Sequence, residues 1–139
     1  MINHIWSVLC ESSIVDQDSK LISLINVLEE ITVPDEPAPN KVLQVIVSLA
    51  TLWARSDLNT PEKGFARINF TSPAGEVLQS LDQIIDLTKY ERLRSRGQFV
   101  GLKLPDPGMY FFYVEFRANE RSKWNKVAKI PFKVVFKKP

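Results

Sequence analysis

Catalysis needs a tuned acid, base or nucleophile, and this chain has one histidine, His4, and one cysteine, Cys10. Along an extended segment the two share a parity, but six residues of strand separate them by about 20 Å. A thiolate–imidazole pair within that segment is excluded, and both residues read as structural. Zinc asks for four ligands, usually closely spaced cysteines or histidines, which the chain does not supply. Glu29 and Glu30 would project to opposite sides of a strand and so do not form an acid–base pair. None of the five glycines falls in a phosphate-cradling pattern. No catalytic residue, no metal and no cofactor is therefore expected.

Binding chemistry has more support. In "ERLRSRG", Arg92, Arg94 and Arg96 project to one side of an extended chain, a row suited to phosphates or an acidic partner. The competing reading is a charged edge strand that discourages sheet-to-sheet aggregation. In "LPDPGMYFFYVEF", Tyr110, Phe112, Val114 and Phe116 form an inward set, which leaves Phe111 and Tyr113 on the outer face. Two outward rings either meet a partner or are covered by the protein's own chain, with "VPDEPAPNK" (residues 33 to 41) as the candidate cover. Asp16 and Asp18 in "VDQDSK", with Asp35 and Glu36 in the proline-rich stretch, are the candidate calcium ligands. The plainer reading of "VDQDSK" is a hairpin turn, because aspartate and serine bond their own backbone.

These residues must be positioned by strands. In "KVAKIPFKVVF", Ala128, Ile130, Phe132, Val134 and Phe136 share one parity, and Lys129, Lys133 and Lys137 share the other. That is the period of a strand with one solvated face. Pro131 lacks an N–H, so this strand is expected at an edge or with a bulge. "FARINFTS" sets Ala66, Ile68 and Phe70 against Arg67, Asn69 and Thr71 in the same way. "RANERSKW" reads as the turn between the last two strands. "VLQVIVSLATLW" is apolar at both parities and β-branched, as in a central strand covered on both faces. Gly97 and Gly101 read as strand irregularities. "LISLINVLEEI" and "EVLQSLDQIIDLTKYERLRSRG" fit either a helix or strands by periodicity alone.

Bulk properties narrow the class. With 139 residues the chain has the size of one domain. Its 45% hydrophobic and 24% charged residues are ordinary for a soluble globular protein. A net charge of +2 is not that of a dedicated nucleic-acid binder. A single cysteine excludes an internal disulfide framework and, with no basic, apolar leader pattern, points to the cytoplasm. No apolar run approaches the roughly 20 residues of a membrane helix.

Leu9-Cys10-Glu11, Ile14-Val15-Asp16, Ser23 to Leu28, and Leu104-Pro105 to Gly108-x-Tyr110 together resemble a family of small uncharacterised bacterial proteins with immunoglobulin-like or C2-like β-sandwich folds. The resemblance implies that both ambiguous segments are extended. The expected fold is thus an all-β, antiparallel sandwich of about eight strands in one domain spanning residues 1–139. The expected function is a non-enzymatic module that binds another protein or its own copy through Phe111, Tyr113, Arg92, Arg94 or Arg96. A calcium- or lipid-responsive C2-like domain and an enzyme of unrecognised type are the alternatives. Neither nucleic acid nor a small-molecule substrate is expected.

Overall fold

The computed structural model describes residues 1–33 and 42–137. Among the described residues every regular element is a strand: β1 (Ile2–Val15), β2 (Ile22–Val27), β3 (Glu30–Val33), β4 (Val42–Arg55), β5 (Glu62–Thr71), β6 (Val77–Leu87), β7 (Arg92–Lys103), β8 (Gly108–Arg117) and β9 (Asn125–Phe136). Two sheets pack face to face, ordered β2-β1-β4-β7 and β3-β9-β8-β5-β6. Among the described residues nine strands form where about eight are expected, because "LISLINVLEEI" breaks at Leu28-Glu29 and its two halves join different sheets. One pairing departs from the antiparallel expectation: β3 runs parallel to β9, from Glu30 opposite Lys133 to Val33 opposite Phe136. The second ambiguous segment also divides, into β6 and β7, with Thr88–Glu91 as the connection. Among the described residues no helix is long and apolar enough to cross a membrane.

Alternation sorts the side chains as the sequence implies. Ala66, Ile68, Phe70, Tyr110, Phe112, Val114, Phe116, Phe132 and Val134 are all buried between the sheets. Phe112 lies at the centre, within ring-contact distance of Phe70, Phe99 and Phe132. β4 is central, between β1 and β7, and its residues Val47 to Thr51 are buried at both parities. Trp53 completes this layer, its indole donating to Ser95 Oγ at 3.0 Å and its ring 5.6 Å from that of Phe116.

The sandwich is drawn closed along β6 and β7. The Gln79 side-chain amide donates to the Gly101 carbonyl, and its oxygen accepts the Lys103 N–H, both at 3.0 Å. One amide thereby satisfies backbone groups of an edge strand. Gly97 allows the approach: a Cβ there would stand 2.4 Å from Ile68 Cδ1. Gly101 has a φ of 84°, beside a register shift between Leu43 and Ile46 on β4. Gly101 is thus an irregularity of β7, with a left-handed backbone, whereas Gly97 pairs in regular register with Leu49 and serves the close approach to β5.

β9 is an edge strand at Pro131 and an interior one from Lys133 onward, where β3 pairs with it. It also carries a bulge, between the Val114–Ala128 and Glu115–Lys126 pairs. A second bulge, between His4 and Trp6 on β1, corrects the parity assigned to the first strand. His4 pairs with Trp53 on the core side, whereas Cys10 pairs with Ser48 on the outer side. The one extra residue reverses the face on which the remainder of β1 projects.

Candidate functional sites

The two groups of candidate binding residues lie on opposite outer faces of the sandwich. Phe111 and Tyr113 are on the outer face of β8, in the five-stranded sheet, with ring centroids 5.8 Å apart. Arg92, Arg94 and Arg96 are on β7, in the four-stranded sheet, opposite Ala54, Leu52 and Ala50 of β4. No single surface unites them.

Phe111 and Tyr113 are neither bare nor fully buried. Cross-strand pairing sets Tyr113 opposite Lys129, and the β9 bulge swings Lys126 into reach. Lys129 Nζ lies 4.2 Å from the Phe111 ring centroid and Lys126 Nζ 4.3 Å from that of Tyr113. The ammonium groups themselves therefore sit over the rings, as cation–π pairs do. Residues 34 to 41, the candidate cover that includes Asp35 and Glu36, lie outside the described residues.

The same face continues across β5. Ser80 Oγ donates to Asn69 Oδ1 at 2.7 Å, and Asn69 Nδ2 donates to Glu115 Oε1. Arg67 Nη2 donates to both Glu115 oxygens, at 3.3 and 3.4 Å. Asn69 and Glu115 are buried although they point away from the core, and their polar atoms are satisfied by each other, by Arg67 and by Ser80. The Arg67 and Arg117 guanidiniums lie 4.4 and 4.3 Å from the Trp124 ring centroid. Parity alone assigns these residues to the outer face. It does not predict that cations and aromatics interleave there, since that depends on which strands are neighbours.

On the four-stranded sheet the arginines border a hollow of about 600 Å³. Its lining combines Trp6, Leu52, Arg92 and Arg94 with Tyr90 and with Lys20 from the β1–β2 hairpin. The hairpin extends past the end of β1's pairing with β4 at Cys10, and its turn is built as the sequence suggests. Asp16 Oδ1 accepts the Ser19 and Asp18 N–H groups, at 3.0 and 2.8 Å, and these bonds hold its carboxyl below the usual range. That carboxylate is occupied with its own turn. No group of three or more metal-ligating side chains occurs among the described residues.

His4 and Cys10 have separate surroundings. The His4 ring meets Trp53 edge-on at 5.5 Å, and its Nε2 is 2.8 Å from Ser7 Oγ, which reaches Thr51 Oγ1. Burial holds the His4 pKa below its ordinary 6.5. Burial pushes the Cys10 thiol up, and the charge of Arg96 partly opposes this. A thiol so disposed is a poor nucleophile.

The lowered His4 pKa has a consequence for stability. The unfolded chain takes up the proton at higher pH than the folded one, so this contribution is complete above pH 6.5 and is lost as pH falls through the folded pKa. The melting temperature of the wild type is expected to fall between about pH 7 and pH 5 more steeply than that of His4→Gln. Parallel curves would show that His4 is not the group responsible.

The chain matches no known protein family and no curated protein.

Proposed function

We propose that the chain is an immunoglobulin-like interaction module without catalytic activity, binding another protein through the outer face of its five-stranded sheet. The observation that carries this reading is the mixed layer formed by Phe111, Tyr113, Trp124, Arg67, Arg117, Lys126 and Lys129. Four cations each lie within 4.4 Å of an aromatic centroid there. Aromatic side chains and arginine supply most of the strong anchors at protein interfaces, and the buried Asn69–Glu115 network gives them a rigid base.

The immunoglobulin-like assignment is supported by strand order. Taking β4, β5, β8 and β9 as strands B, C, F and G, the sheets read G-F-C with β6 beside C, and B beside E (β7). The Tyr110 hydroxyl, near the start of β8, donates to the Asp106 carbonyl at 2.6 Å and accepts its N–H at 3.1 Å. This pair of bonds has the form of the tyrosine corner of such domains, which supports the reading. Phe112, two residues on, stands where antibody domains place the second cysteine of their inter-sheet disulfide, and an aromatic cluster surrounds it. The separation of His4 from Cys10 by the sheet between them supports a non-enzymatic reading.

The test compares immobilised wild type with Phe111→Ser/Tyr113→Ser and Lys126→Glu/Lys129→Glu in capture from the native cell extract, with light scattering to detect self-association. A protein, or a second copy, held by the wild type and lost by both variants at unchanged melting temperature is the expected result. Equal retention by all three proteins would remove this face from the reading.

A further inference from the structure

The hollow on the opposite sheet has features that edge protection alone does not require. Lys20, Arg92 and Arg94 converge on it from two separate segments, and among the described residues no carboxylate lines it. None of the three side chains has an ion-pair or hydrogen-bond partner among the described residues, and Arg96 extends the row in the same state. Clustered like charges repel one another, so the arrangement is relieved by an anionic ligand. Trp6 and Tyr90 flank the cations, and Leu52 forms part of the apolar lining.

Spacing narrows the ligand. Arg92, Arg94 and Arg96 occupy alternate positions of one strand, about 6.6–6.8 Å apart along its axis. An extended peptide presents alternate side chains with the same repeat. Acidic residues at every second position would each meet a guanidinium, in the fork geometry that arginine offers a carboxylate. The intervening volume, bounded by Trp6 and Leu52, suits apolar side chains.

We propose that the hollow formed by Trp6, Lys20, Tyr90, Arg92 and Arg94 binds an extended acidic segment of a protein partner. This surface is on the sheet opposite Phe111 and Tyr113, so the two sites stand or fall separately.

The three tryptophans serve as reporters, because Trp6 lines the hollow, Trp53 is in the core and Trp124 is on the opposite face. A short fluorescent peptide alternating glutamate with valine is titrated by anisotropy, alongside its glutamine counterpart and oligothymidylate, at about physiological salt. Nitrogen-15 spectra of the indole groups are recorded in parallel. The glutamate peptide is expected to bind and to shift the Trp6 indole while leaving Trp53 and Trp124 in place. Arg92→Gln/Arg94→Gln, with the Trp53 signal confirming the fold, is expected to weaken binding at least about tenfold. The proposal is overturned if the glutamate peptide does not bind, or if it binds the double variant equally well. A shift of Trp124 instead of Trp6, or tighter binding of oligothymidylate than of the peptide, also overturns it.

Discussion

Phe112→Ala is expected to cost about 3–5 kcal/mol, a large fraction of the stability of a domain this size. The side chain is fully buried and joins Phe70, Phe99 and Phe132, which come from three different strands of both sheets. Truncating such a phenylalanine costs about 3–5 kcal/mol, from lost transfer energy and from the cavity left behind. Typical domains have only about 5–15 kcal/mol of net stability. The surrounding rings are held by separate strands and cannot collapse far into the space. Phe112→Leu fills more of the volume and is expected to retain most of the stability. Urea denaturation of the three proteins decides the matter, and an alanine variant within about 1 kcal/mol of wild type would show that the centre of the core is elsewhere.

The second large effect is expected from one oxygen atom. Tyr110→Phe preserves the ring, which stacks on Phe70 at 5.2 Å, and removes only the hydroxyl. That hydroxyl bonds both the carbonyl and the N–H of Asp106, tying the β7–β8 connection to the start of β8. Removal leaves both backbone groups in a partly buried site, a loss of about 1–3 kcal/mol. Hydrogen exchange at Asp106 is expected to accelerate in the variant, with smaller changes at distant amides. Burial, with the nearby Asp106 charge adding to it, holds the Tyr110 pKa above its ordinary 10.0, consistent with a hydroxyl that stays neutral while it donates to the Asp106 carbonyl.

The fold was largely legible because period-two alternation is a local property. The inward sets of β5, β8 and β9 can be read directly from residues such as Ala66, Ile68 and Phe70. What could not be read are the positions where one residue changes the phase. The bulge between His4 and Trp6 reverses the face of everything after it, and "HIWSV" carries no glycine or proline to announce it. The parallel β3–β9 pair was hidden for a related reason. Glu30 to Val33 is too short to show a period, and its partner lies about a hundred residues along the chain.

The candidate sites divide in the same way. Arg92, Arg94, Arg96, Phe111 and Tyr113 were visible as alternating positions on single strands. Lys126, Lys129, Trp124 and Arg67 join the rings only through the strand order β9-β8-β5 and through the bulge on β9. Lys20 meets the arginines only because the β1–β2 hairpin shares a hollow with β7, and Trp6 only through the strand order β1-β4-β7. Neighbours along one strand follow from spacing, but neighbours across strands require the topology.

Deuterium exchange at the three indole N–H groups, followed by NMR in the free protein, tests this arrangement most directly. Trp53 is 1% exposed and donates to Ser95, whereas Trp6 and Trp124 are only half-buried on outer faces. A two-sheet sandwich in this register predicts that the Trp53 indole exchanges orders of magnitude more slowly than the other two, at a rate set by global unfolding. Three indoles exchanging at similar rates would contradict it, and with it the assignment of both outer faces.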